Sequence, residues 1–110
     1  MKNKSLFVIT VLFLVLIGTP SWATTYYIDF AGGNDSSTGT STAAAWKHCS
    51  GDNQAGGIAA STVLKAGDMV IFKGGISYFG EIKVNWSGSA GNPIIYDGNT
   101  SETWETGKAV

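Results

Sequence analysis

Few residues in this chain have side chains suited to acid–base chemistry. His48 is the single histidine, and as a general base it would need an orienting partner that the sequence does not identify. Lys73 and Lys83 could act as a base or neutralise a substrate carboxylate. Each lies in or beside an apolar segment, however, where an outward-facing charge is the ordinary interpretation. We therefore assign no catalytic residue from the sequence.

A second kind of chemistry would be the binding of Ca²⁺ by side-chain oxygens. Asp35, with Asn34 and Ser36 beside it, could contribute such ligands. The segment lacks the alternating acidic residues and the closing glutamate of a dedicated calcium loop, and turn formation explains the same three residues. We predict no metal site and no cofactor within this chain.

Three aromatic side chains are candidates for stacking on sugar rings, namely Tyr78, Trp86 and Trp104. An aromatic face packs well on apolar C–H surfaces while its polar edge stays in water. The alternative, which we favour, is that these side chains pack in the core or at its edge. Trp86 in particular shares one face of an alternating segment with Ile82 and Val84. The substrate-binding residues thus stay unassigned.

Composition excludes several classes of protein. The 110 residues carry a formal net charge of −1 and include no arginine, so nothing indicates binding of nucleic acid. Cys49 is the only cysteine, which rules out a small domain stabilised by internal disulfides. We expect its thiol to be a small buried apolar group, although its role stays open.

The first residues have the parts of a secretory signal peptide. Lys2 and Lys4 precede an apolar run over residues 6–17, and small residues precede a cleavage point after Ala23. A membrane anchor is the alternative, but the run is shorter than the ~20 residues that a spanning helix needs. We predict cleavage after Ala23, no membrane span thereafter, and a secreted, periplasmic or cell-surface protein.

The strands and helices that the sequence predicts around these candidate residues are short. Alternation or apolar runs predict strands over residues 26–30, 69–72, 82–86 and 94–96. Short helical pieces are expected over 43–48 and 59–64. Val70, Ile82 and Ile94 are spaced evenly along the chain, which favours a solenoid whose parallel strands stack in register. An antiparallel β-sandwich has strands at similar intervals and is the alternative.

Three phrases carry a resemblance to a known family. They are Tyr26-Tyr27-Ile28, the segment 66–75 (AGDMVIFKGG) and the segment 89–96 (SAGNPIIY). Together they resemble the opening of exported right-handed parallel β-helix proteins of the pectate-lyase-like group. The likeness covers most of residues 25–98. Residues 46–64 depart from it, because this stretch is rich in Gly and Ser where the family commonly has an amphipathic capping helix, so we expect a broken helix or an ordered loop there.

The resemblance implies an all-β fold with three parts. These are a signal peptide (1–23), an N-terminal strand, loop and cap (24–66), and the first β-helix coils (67–110), which stop before a terminal cap. A solenoid needs about three repeats and a cap to stand alone, so we expect a fragment of a longer protein.

The same resemblance implies a function outside the cell. Many relatives cleave uronate-containing polysaccharide by β-elimination, and the full-length protein would then bind extracellular polysaccharide, act as a polysaccharide lyase and use Ca²⁺. The family's catalytic groups usually lie on later coils. A non-catalytic surface or adhesive β-solenoid is the alternative, and a small β-sandwich binding module is a third.

Overall fold

Three short parallel strands form the one sheet in the part of the chain that the structure describes. The structure is a computed structural model and describes residues 23–110. Strand β1 spans Thr25–Ile28, β2 spans Met69–Phe72 and β3 spans Ile95–Asp97, in the order β1-β2-β3. Apart from Ala23, the predicted signal peptide lies outside the described residues and stays a prediction.

The central strand β2 is the one that the sequence predicts most closely. Its bounds match the predicted segment, and Val70 is completely buried. Parallel pairing with the segment around Ile95 is also confirmed. The register differs from the prediction by two residues, because Val70 pairs with Tyr96 rather than with Ile94. A shift of two leaves every side chain on its original face, since side chains alternate with period two.

The predicted right-handed parallel β-helix is wrong for residues 23–110. The three strands form an open sheet, most of the remaining chain is turn and coil, and no solenoid coil is formed. The predicted strand over 82–86 makes only an isolated antiparallel bridge between Ile82 and Asp52. Its backbone is diverted, because the Lys83 amide donates to the Gly51 carbonyl. The antiparallel sandwich is wrong as well, because both strand pairs are parallel.

Both predicted helical pieces occur, but each is shorter and lies nearer the N-terminus. A 3-10 turn spans Thr42–Ala44, and helix α1 spans Gly57–Ser61. The first ends early because Trp46 is extended and bonds to the β1 segment through both of its backbone groups. The Trp46 amide donates to the Tyr27 carbonyl at 2.9 Å, and the Trp46 carbonyl accepts from the Asp29 amide at 2.8 Å. This segment covers the outer edge of β1, so the expected ordered loop supplies backbone partners that an exposed edge would lack.

The core is built around the Trp46 indole, which is completely buried. It stacks on Tyr26 with ring centroids 4.8 Å apart, and its Nε1 donates to the Ser37 carbonyl at 2.7 Å. Gly39, at φ +74°, lies against the same ring where a Cβ would collide with it. Cys49 is also buried, and this burial raises the pKa of its thiol to about 12. Its prediction as a small buried apolar group is confirmed.

A fully buried carboxylate, Asp68, organises the start of β2. It accepts hydrogen bonds from the backbone amides of Thr24 at 2.8 Å and Lys65 at 3.0 Å. Burial raises its pKa, but these amides and the Lys65 ammonium outweigh that effect and hold the pKa below its ordinary value. Asp68 thus fixes the backbone at the start of β2 to the residue that precedes β1.

Over residues 23–110 the structure contains no helix with the length and apolar character required to span a bilayer. The finding concerns helices in this range alone.

Candidate functional site

The candidate site is a small cleft at the ends of β1 and β2. Ile28 and Phe72 are paired at these ends, and loops that follow the carboxyl ends of parallel strands are where such sheets commonly place ligands. The cleft measures about 70 Å³. We call it the Phe30 cleft, and the residues that matter to its chemistry are Phe30, Lys47, His48, Asp52, Tyr78 and Phe79.

Aromatic rings form one wall of the Phe30 cleft. The centroid of the Phe30 ring lies 5.7 Å from that of His48, 6.2 Å from Tyr78 and 6.0 Å from Phe79. Phe79 is 70 % exposed, which is unusual for so large an apolar side chain. The wall therefore presents an aromatic face to solvent at the mouth of the cleft.

Tyr78 holds the wall in place. Its hydroxyl donates to one of two carbonyl oxygens, those of Ile28 at 3.0 Å and Lys73 at 2.9 Å, and its ring packs edge-on against Phe72. Burial raises the pKa of this phenol far above its ordinary value, so the hydroxyl stays protonated and keeps donating. Of the three predicted stacking candidates, Tyr78 is the one that lies in the cleft.

His48 has the orienting partner that the sequence did not reveal. Its Nδ1 lies 2.7 Å from Oδ2 of Asp35, and the two side chains are only 11 % and 16 % exposed. Burial raises the pKa of Asp35, but hydrogen bonds from the His48 ring and from backbone amides outweigh it, so the pKa lies below its ordinary value. An ionised Asp35 can only accept, so Nδ1 carries a hydrogen, and in the neutral form of the ring Nε2 is the nitrogen without one.

Asp35 also ties three backbone segments together. Its carboxylate accepts from the amides of Lys47 at 3.0 Å, His48 at 2.8 Å and Gly56 at 3.1 Å. Both oxygens are thus engaged by donors, which does not fit a Ca²⁺ ligand. Among residues 23–110 no three His, Cys, Asp or Glu side chains are grouped closely enough to hold a metal ion. The sequence favoured a local turn for Asp35, whereas its carboxylate bonds to residues 12 to 21 positions further along the chain.

Lys47 supplies positive charge to the cleft wall. Its ammonium lies 4.3 Å from the centre of the Phe30 ring and donates to the Phe30 carbonyl. A cation above an aromatic face is stabilised by the ring's negative quadrupole. The side chain is consequently held against the wall, although it was not among the predicted site residues.

The two lysines named from the sequence lie outside the cleft lining. Lys73 forms an ion pair with Asp29 at 3.3 Å. Burial raises the pKa of Asp29, but the Gly32 amide and Lys73 outweigh it and the pKa is lowered. Lys83 has an exposed side chain, as expected of a solvated charge. Neither is placed near His48 by the described contacts.

The remaining two aromatic candidates also have structural surroundings. Trp86 is half-buried and packs against the core, and Trp104 meets Tyr27 edge-on with centroids 5.4 Å apart. The rings that do line the cleft, Phe30 and Phe79, were missed. A signal existed, because a Tyr-Phe pair followed by Gly80 in a turn-rich segment cannot easily bury both rings.

Comparison with known protein families and curated proteins does not identify this site. No protein-family model and no curated protein matches the chain. The likeness to pectate-lyase-like proteins therefore stays a resemblance between short sequence phrases.

Proposed function

We propose that this chain is exported and binds extracellular polysaccharide at the Phe30 cleft. The observation that carries the proposal is the solvent-exposed ring of Phe79 beside the fixed rings of Phe30 and Tyr78. Sugar rings present apolar C–H faces that pack on aromatic faces. The resemblance of the sequence to polysaccharide-acting proteins supports the same substrate class.

Polar groups at the cleft suit the hydroxyl-rich edges of a sugar. His48 offers a ring nitrogen, Lys47 a cation, and Asp52 a carboxylate whose Oδ1 is engaged by the Gln54 amide at 2.8 Å. A binding site of this kind combines apolar contact with a few polar groups that fix orientation. At about 70 Å³ the cleft would take the edge or a substituent of one sugar, with the rest of the ring lying on Phe79.

Substitution of Phe79 by alanine is expected to weaken polysaccharide binding about fivefold or more, because loss of an anchoring side chain at a binding site costs over about 1 kcal/mol. The exposed ring contributes little to folding, so thermal stability should change little. The control is Val63→Ala, which removes a side chain that is 65 % exposed and does not line the cleft. Affinity electrophoresis in gels containing plant and bacterial polysaccharides would measure the effect. Equal retardation of both variants and the wild type would contradict the proposal.

The pairing of His48 with Asp35 favours a second candidate function, cleavage of uronate-containing polysaccharide. The unprotonated Nε2 would take the proton from the carbon beside the uronate carboxylate. The electrons of that C–H bond form a carbon–carbon double bond as the neighbouring C–O bond breaks, and the departing oxygen takes up a proton. The positive charge of Lys47 would offset the negative charge that develops on the carboxylate.

His48→Gln is expected to lower the rate of such cleavage by about 100-fold or more, since general-base catalysis typically contributes that much. Ultraviolet absorption of the new double bond would follow the reaction. Lys83→Met is the control, because this exposed lysine is the base candidate that the structure places elsewhere. If wild-type protein releases no unsaturated product from any uronate polymer, binding without cleavage remains. If His48→Gln abolishes cleavage while polysaccharide binding at Phe79 stays intact, the two functions are separate.

A further inference from the structure

The first residue of the predicted mature chain is already in contact with a buried carboxylate. The backbone nitrogen of Thr24 donates to Oδ1 of Asp68 at 2.8 Å. The Asp68 side chain is completely buried. Cleavage after Ala23, which the sequence predicts, would release this same nitrogen as the new chain terminus.

We propose that cleavage between Ala23 and Thr24 converts this amide into an α-ammonium group that forms a buried ion pair with Asp68, so that processing itself fastens β1 to the sheet. The step consumes one water: the C–N bond of the peptide breaks, Ala23 leaves with the new carboxylate, and the Thr24 nitrogen becomes –NH₃⁺. The inference rests on the predicted cleavage and is independent of what the Phe30 cleft binds.

The surroundings of Thr24 leave room for this change. Ala23 is exposed, and it borders a cavity of about 310 Å³ that is also lined by Lys65, Ser89 and Asn92. A peptide amide has one hydrogen to donate, whereas an ammonium has three. The polar cavity gives the additional hydrogens access to water or to these side chains, while one remains directed at Asp68.

Lys65 is the other charged group in contact with Asp68 among residues 23–110. Its ammonium lies 3.1 Å from Oδ1 and 3.3 Å from the Thr24 hydroxyl. The Lys65 side chain is 42 % exposed, so it can move toward solvent when a second cation appears. The Lys65 backbone amide stays on Oδ2 at 3.0 Å. In the uncleaved chain Lys65 balances the buried charge, and after cleavage the fixed terminus takes over that role.

This exchange predicts a distinctive pH dependence at the alkaline side. Attraction to Asp68 raises the pKa of the α-amino group above its ordinary range of about 7.7–8.0. A group whose pKa is raised by folding stabilises the fold fully below its unfolded pKa. That contribution is lost as the pH rises through the folded pKa. Repulsion from the Lys65 ammonium lowers the pKa of the α-amino group, so Lys65→Met should raise this pKa further.

The test begins with the exported full-length protein, whose intact mass gives its first residue, and continues with a titration of the α-amino group by NMR or by its acetylation rate. We expect a chain beginning at Thr24 and a pKa at least about one unit above the ordinary value, which makes acetylation near pH 7 about ninefold slower.

A matched control distinguishes the ion pair from simple burial. A chain that begins at Ala23 differs by one residue and keeps an amide at Thr24, so its α-amino group should titrate normally. Its unfolding midpoint in urea should lack the alkaline decrease that the Thr24 chain shows. Asp68→Asn should remove that decrease, and where this variant does not fold, the comparison of the two chain starts still decides. A different first residue, or equal pKa values in the two chains, would overturn the proposal.

Discussion

Trp46→Ala is expected to lower the free energy of unfolding by about 3–5 kcal/mol, the usual cost of removing a large buried aromatic side chain. The indole is completely buried and stacks on Tyr26. Its removal also leaves the Ser37 carbonyl without the donor that lies 2.7 Å away. A domain of this size has a net stability of only about 5–15 kcal/mol, so the variant should be largely unfolded well below the wild-type melting temperature.

The matched control is Trp104→Ala. Trp104 is half-buried and meets Tyr27 by an edge contact, so its substitution should cost less than half as much. Urea titration followed by circular dichroism would measure both variants. Equal losses would show that Trp46 does not hold the core together in the manner described.

Asp35→Asn is expected to cost about 2–3 kcal/mol of stability, because hydrogen bonds to a charged acceptor are worth about 1.5–3 kcal/mol each. Asparagine has one acceptor oxygen. It can keep the bonds from the Lys47 and His48 amides, but its NH₂ group then faces the Gly56 amide, which is also a donor. The partly buried Gly56 amide is left without this partner.

The same substitution should reverse the tautomer of His48. The NH₂ group would donate to Nδ1, so the hydrogen of the neutral ring would move to Nε2. Nitrogen NMR of the imidazole would show this directly. Asp97→Asn is the control, because Asp97 accepts from Thr100 in a surface turn and should cost under about 1 kcal/mol. An unchanged His48 tautomer would contradict the assigned role of Asp35.

Acid should destabilise the wild type by protonating Asp35 and two other carboxylates that accept hydrogen bonds in the fold. The pKa values of Asp29, Asp35 and Asp68 are all lowered by folding from an ordinary value of 3.8. Groups of this kind stabilise the fold above their unfolded pKa, and the contribution is lost as the pH falls through the folded pKa. The Asp35→Asn variant should therefore lose less stability than the wild type between neutral pH and pH 3.

Local chemistry explains which parts of the fold the sequence predicted. The bounds of β2 follow from residues that are neighbours in the chain, and so does the bond from the Lys65 amide to Asp68, whereas its bond from the Thr24 amide crosses 44 positions. Apolar residues at every second position, Ile82, Val84 and Trp86, indicated a strand. Val84 is nevertheless 67 % exposed, and the backbone of this segment bonds to the 51–52 turn instead of to the sheet. Period-two alternation fits an extended segment, but here it determined neither the burial of Val84 nor the backbone that supplies the hydrogen bonds.

The candidate site was harder to predict because it depends on chain closure over long distances. His48 and Asp35 are separated by a loop and a 3-10 turn, and no local pattern pairs them. Phe30 and Phe79 come from opposite halves of the chain and meet only because β1 and β2 are paired. Of the aromatic candidates named from the sequence only Tyr78 lines the cleft, and the other rings that line it are phenylalanines.

The parallel order of the sheet has a kinetic consequence. Thr25 pairs with Met69, 44 positions away, and Met69 pairs with Ile95, 26 positions away. Such pairings form only after large loops have closed, and proteins dominated by distant contacts fold slowly. β1 can therefore pair with β2 only after the chain up to Phe72 has been made, and β3 can join only after Asp97. The sheet is thus expected to form late, and the open strand edges that precede it stay available to other chains for longer than they would in a small helical domain.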